Sequence, residues 1–69
     1  MTERDLVKKT LYYLETSDEE FAEQVCEEVS FKTDFSDVEA YCYAVLSGCF
    51  DEDEIDDVKS DLNNYLIFK

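Results

Sequence analysis

Carboxylates are the chemistry this chain carries in quantity: 19 of its 69 residues are Asp or Glu, against 6 Lys or Arg and no His, for a formal net charge of −13. A carboxylate can serve as general acid or base, as a ligand for a hard metal ion, or as part of a fixed anionic surface. Acid–base work needs a pair whose surroundings drive their pKa values apart, and no pair among the 19 is singled out by sequence. With no His to act as base or to activate a nucleophile, and a single Gly where a phosphate-cradling loop needs several, the sequence predicts neither an enzyme nor a cofactor.

Metal chemistry fares no better. Asp51, Asp53 and Asp57 crowd oxygen ligands together, but an EF-hand loop requires an oxygen at its fifth position and Gly at its sixth. Counted from Asp51 these are Ile55 and Asp56, and from Asp53 they are Asp57 and Val58, so neither start satisfies the loop. Cys26, Cys42 and Cys49 have no C-x-x-C spacing and no His to complete a zinc set. Each falls on the apolar face of an expected helix, which predicts buried free thiols in a reducing compartment and no metal site.

The third use, an anionic surface, is where the charge pattern points. From Glu15 to Asp57 the chain holds 16 acids and one base, Lys32, or −15 over 43 residues, while the two ends carry the remaining 3 acids and 5 bases. On a helix Glu20, Glu23 and Glu27 share a face at steps of three and four, where neighbouring Cβ atoms stand about 5–6 Å apart and like charges repel. Asp51, Glu52, Asp53, Asp56 and Asp57 form the second dense group. Acids in a first helical turn are favoured by the helix dipole, which accounts for Asp18, Glu19, Glu20, Asp37, Glu39, Glu52, Asp53 and Glu54. Glu23, Glu27, Glu28, Asp56 and Asp57 lie beyond any first turn and have no such explanation.

The elements that must position these groups are helices. Four start signals recur, each a Ser, Thr or Asp followed three residues later by an acid: Thr2/Asp5, Ser17/Glu20, Ser36/Glu39 and Asp51/Glu54. Hydrophobic staples are expected between Met1 and Leu6 and between Phe50 and Ile55. Apolar residues recur at helical spacing in Leu6, Val7, Leu11 and Leu14, in Phe21, Ala22, Val25, Cys26 and Val29, in Val38, Cys42, Val45 and Cys49, and in Ile55, Val58, Leu62, Tyr65 and Leu66. The third helix is expected to stop at Gly48 in a left-handed cap.

The fold class predicted is all-α, a compact bundle of about four short helices in one domain spanning residues 1–69. Leu, Ile, Val and Phe make 19 of the 69 residues, above the roughly 20% below which highly charged chains stay disordered. The alternation Val29, Phe31, Thr33, Phe35 leaves open a short two-stranded β element between residues 29–35 and 65–68. The favoured reading is a connection over 30–35 whose Phe residues plug the core. No apolar run reaches the roughly 18 residues of a membrane span and the first residues lack a signal-peptide layout, so a cytoplasmic location is expected. Anionic membranes and nucleic acid would repel the chain.

Five tyrosines complete the inventory. Tyr12-Tyr13 and Tyr41-x-Tyr43 cannot all face inward from one helix, so Tyr12 and Tyr43 are expected to be exposed anchors for a partner. Together with Glu20, Glu23, Glu27, Asp51, Glu52, Asp53, Asp56 and Asp57 they form the expected partner-binding set, facing Lys and Arg of a basic nucleic-acid-binding protein.

In size and charge the chain resembles small acidic inhibitors carried by phages and mobile elements, several anti-restriction and anti-CRISPR proteins among them. The resemblance is one of composition over the whole chain and matches no motif, so it implies a nucleic-acid mimic without carrying over any site residue. Acyl carrier proteins are similar in size and charge, but their prosthetic group sits on the Ser of an Asp-Ser-Leu sequence. Here Asp34-Phe35-Ser36-Asp37-Val38 separates Asp from Ser and lacks the Leu, which makes Ser36 a helix cap. The alternative function is a protein-interaction module or regulatory subunit, including a homodimer joined through the Ile55/Val58/Leu62/Leu66 seam.

Overall fold

The computed structural model describes residues 2–68, most of them in four α-helices: α1 Glu3–Thr16, α2 Glu19–Ser30, α3 Asp37–Leu46 and α4 Glu52–Phe68. Two of the four start signals close as full capping boxes. The Thr2 hydroxyl accepts the Asp5 N–H at 3.1 Å while the Asp5 carboxylate accepts the Thr2 N–H at 3.4 Å. The same exchange between Ser36 and Glu39, at 3.2 and 3.1 Å, starts α3. At α4 the Glu54 N–H bonds the Asp51 carbonyl at 3.0 Å. The expected Met1 staple lies outside the described residues, whereas Phe50 packs on the core with its ring 5.6 Å from that of Tyr41.

The start of α2 differs from expectation. Only Ser17 and Asp18 separate α1 from α2, so each takes one task. Ser17 ends α1 in the left-handed region (φ 56°, ψ 32°), its N–H donating to the Tyr13 carbonyl at 2.7 Å. Asp18, not Ser17, caps α2 and accepts the Phe21 N–H at 3.1 Å.

The exit of α3 follows the Schellman pattern, with Gly48 at φ +80°. The Cys49 N–H reaches the Ala44 carbonyl and the Gly48 N–H the Val45 carbonyl, both at 3.1 Å. The helix therefore ends at Leu46, and Cys49 is exposed on the following turn instead of facing the core.

No strand occurs among the described residues. Val29 is buried in the last turn of α2, and Tyr65 to Phe68 finish α4. The connection between α2 and α3 does not plug the core either: Phe31 is 80% exposed and Phe35 lies against Tyr43, its ring 5.9 Å away. Leu6 and Val29 line an open cleft at that end, beside the ion pair of Lys32 with Glu39, and neither Phe enters it.

Leu6, Val7, Ala22, Val25, Val29, Cys42, Val45, Leu46, Val58 and Leu62 form one buried cluster fed by all four helices. Thr10 joins it fully buried, its hydroxyl donating to the Leu6 carbonyl at 2.8 Å so that no polar atom is left orphaned. Most of the Ile55/Val58/Leu62/Leu66 seam is spent on this core: Val58 and Leu62 are 2% and 3% exposed, Leu66 packs on the cluster, and Ile55 is half-buried.

Helix α1 is the hub. It packs against the other three, α2 also packs on α3, and α4 approaches α1 alone. Near the start of α1 the Arg4 guanidinium donates to the Leu66 carbonyl at 3.4 Å, bringing a cation to a helix end that has no basic residue of its own in the last turn. The molecule measures 30 × 28 × 16 Å, a slab little more than one helix thick. Its radius of gyration, 11.0 Å, matches the roughly 11 Å of a packed domain of this length.

Candidate functional site

Burial of Ala22, Val25 and Val29 fixes how α2 rotates against α1 and α3. At 100° per residue, Glu20, Glu23 and Glu27 then fall on the opposite side of the helix, and all three are exposed. Burial of Val58 and Leu62 orients α4 likewise and leaves Glu52, Asp53 and Asp56 on its outer flank, with Asp57 turned toward the α3 side and Asp51 preceding the helix, all exposed.

The structure thus exposes every expected contact carboxylate, as one set on α2 and one at α4. The backbones of the two helices make no close approach, while Glu19 and Glu23 share a hollow with Ser47 and Gly48, just before Asp51.

Neither set is neutralised. Among the described residues the ion pairs are Lys9 with Glu28 at 3.4 Å and Lys32 with Glu39, and both sit in one cleft of about 540 Å³ where α1, the end of α2 and the start of α3 meet. Lys32 beside Glu39, together with the Ser36 N–H, holds the Glu39 carboxyl below its ordinary range. Among the described residues, no group of three or more Cys, Asp or Glu is arranged to hold a metal ion.

Tyr12 and Tyr43 are the exposed members of their pairs, at 50% and 36%, while Tyr13 and Tyr41 are half-buried. Each exposed ring leans on a phenylalanine. Tyr12 meets Phe21 edge-on at 4.8 Å and 63°, tying α1 to α2, and Tyr43 meets Phe35.

A feature the sequence reading missed lies between α3 and α4. Because α4 approaches α1 and not α3, an apolar groove of about 450 Å³ opens along the seam, lined chiefly by Val38, Tyr41, Leu62, Tyr65 and Phe68. Its sides carry Asp37 and Asp61, and the Tyr41 hydroxyl donates to Asp61 across the seam at 3.3 Å. Burial, and then the charge of Asp61, push the Tyr41 hydroxyl above its ordinary pKa. The signal that pointed here was the exposed Phe68 one turn beyond Tyr65, in a helix whose core-facing positions end at Leu66.

No protein-family model, characterised protein or solved structure matches this chain. Among the described residues, no helix is long and apolar enough to cross a membrane.

Proposed function

We propose that this chain is a small acidic inhibitor that imitates the phosphates of nucleic acid and occupies the basic groove of a DNA- or RNA-binding enzyme. Phage and mobile-element inhibitors of restriction or CRISPR systems are the functional class. The observation that supports this reading is the state of Glu20, Glu23 and Glu27 on α2 and of Glu52, Asp53, Asp56 and Asp57 on α4: exposed, without ion-pair partners among the described residues, and carried on helices whose rotation the core fixes.

The physics follows from what nucleic-acid-binding proteins recognise. A duplex offers one negative charge per about 1.7 Å of its axis, and its protein partners answer with clustered Lys and Arg. Carboxylates held on a rigid scaffold meet such a cluster without first being ordered, and the excess charge steers encounter. Two sets of acids on separate helices suit a groove with basic walls on both sides. Tyr12 and Tyr43 add exposed aromatic surface for contacts that do not depend on salt.

The test is competition. A basic partner captured at low salt should release labelled duplex or single-stranded nucleic acid as this protein is added, and its affinity should fall steeply between about 50 and 200 mM salt. Replacing Glu20, Glu23 and Glu27 together by Gln should weaken binding, and unchanged affinity rules that face out. Absence of competition at low salt overturns the proposal.

A further inference from the structure

We propose that the groove between α3 and α4 is a docking site for a basic amphipathic helix of a protein partner. The inference goes beyond phosphate imitation and does not rest on it. A mimic needs only carboxylates in array, whereas this groove offers an apolar floor between acidic sides.

Charge and shape identify the occupant. Val38, Tyr41, Leu62, Tyr65 and Phe68 give the groove an apolar lining, and none of the described residues that line it is basic. Asp37 stands on the α3 side and Asp61 on the α4 side. Asp57, one turn before Asp61 on the same face of α4, acts with it on the Tyr41 hydroxyl. The α4 lining from Asp61 to Phe68 spans about 10.5 Å of helix axis, the i to i+7 length of a partner helix with apolar residues at i, i+3, i+4 and i+7. Lys or Arg flanking that stripe would meet Asp37, Asp57 and Asp61.

The same charges disfavour other occupants. A second copy brings another −13, and a two-fold contact through this face would set the acidic rim of one copy, Asp37, Asp57 and Asp61, against the same rim of the other. Nucleic acid and anionic membranes are repelled for the same reason. Phe68 is 79% exposed, so apolar surface remains at the mouth of the groove for a partner to cover.

The experiment uses a fluorescein-labelled Leu/Lys helical peptide of about 16 residues, patterned as one apolar stripe, and a scrambled peptide of identical composition. Anisotropy in about 150 mM NaCl should show the patterned peptide binding at least about tenfold tighter than the scrambled one. Phe68→Ser, at a site outside the core, should erase most of that margin, and Asp37→Asn with Asp61→Asn should weaken binding a few-fold. The Glu20/Glu23/Glu27→Gln variant should bind as the parent does, and amide shifts should concentrate on Val38, Tyr65 and Phe68. Equal binding of the two peptides, or a loss confined to the α2 variant, overturns the proposal in favour of unspecific electrostatics. Concentration-dependent doubling of mass in sedimentation that Phe68→Ser abolishes overturns it in favour of a second copy.

Discussion

Lys32, the one base between Glu15 and Asp57, is paired with Glu39, the one acid of that stretch that the fold buries. A buried carboxylate is costly unless its oxygens are satisfied. Here one oxygen accepts the Ser36 N–H and the other the Lys32 ammonium. The one cation of that stretch thus serves the fold, and of the exposed acids there only Glu28, paired with Lys9 of α1, has an ion-pair partner among the described residues.

That pairing predicts a pH dependence with a definite sign. Glu39 has its carboxyl lowered in the folded state from the ordinary 4.5, so below that value the unfolded chain takes up the proton first. The stabilisation is complete above 4.5 and is lost as pH falls through the depressed folded value. Thermal melts of the parent and of Glu39→Gln should therefore be furthest apart at neutral pH and converge on acidification. Lys32→Ala should lower Tm at neutral pH more than Lys9→Ala, since Lys9 and Glu28 are 38% and 60% exposed and such pairs contribute about 0–1 kcal/mol. Melting curves that keep a constant gap from neutral pH to about pH 3 would contradict this account.

The two-residue link between α1 and α2 predicts opposite effects at adjacent positions. Ser17 holds φ 56°, a conformation that costs an L-residue about 1–2 kcal/mol and Gly almost nothing. Ser17→Gly should therefore stabilise by about 0.5–1 kcal/mol, once the extra freedom of the unfolded chain is subtracted. Asp18→Ala removes the cap of α2 and should cost about 1 kcal/mol. Urea titrations of the two variants decide it, and a loss at Ser17 with none at Asp18 would restore Ser17 as the cap.

Gly48 is the mirror case. A Cβ placed there meets nothing within 4 Å, so the strain of φ +80° is the whole folded-state cost of Gly48→Ala. The expected loss is about 0.5–1 kcal/mol, the strain less what the stiffer unfolded chain returns, with no change in the urea m-value, because nothing packs differently.

How much of this was legible beforehand differs by level. Helices α1 and α3 announce themselves through Thr2 and Ser36, whose boxes close as their spacing implies. Ser17 and Asp18 are both competent caps, and only the shortness of the link, a property of how α1 and α2 dock, decides between them. Cys49 continues the Val38/Cys42/Val45 register on paper, yet Gly48 has already turned the chain. Phe31 and Phe35 look like core because of their type, but the connection carries Phe31 into solvent and Phe35 onto Tyr43, leaving the cleft beside Leu6 and Val29 open. Thr10 sits within the apolar stripe of α1 and was readable as buried, since a helical Thr can satisfy its hydroxyl on the preceding turn. Exposure of the α2 and α4 acids follows from helical period. The groove does not, because it arises from α4 choosing α1 over α3.

The three thiols should separate by reactivity in a way that reports this packing. Cys49 is exposed, Cys26 half-buried and Cys42 fully buried, and burial pushes the Cys26 and Cys42 thiols up from their ordinary pKa. Because the thiolate is the reactive form, a maleimide or disulfide reagent near neutral pH should modify Cys49 first, Cys26 slowly and Cys42 only on unfolding. Peptide mapping after timed labelling gives the order. Early labelling of Cys42 would mean that the α1–α3 contact opens far more readily than its packing implies.

Salt addresses the charge directly. With 16 acids and one base between Glu15 and Asp57, and that base committed to Glu39, the exposed carboxylates of α2 and α4 repel one another with little relief beyond the Lys9–Glu28 pair and the helix dipoles. Screening shortens from about 30 Å at 0.01 M to about 8 Å at 0.15 M salt, so repulsion between helices fades first and repulsion along one helix face later. Raising NaCl from about 10 to 300 mM should lift Tm by a few degrees. In Glu20/Glu23/Glu27→Gln the melting point should be higher at low salt and the rise with salt smaller, because part of what salt screens is already gone. A flat salt response in the parent would show that the helix dipoles already balance these charges, and the case for carboxylates held ready for a basic partner would lose its energetic basis.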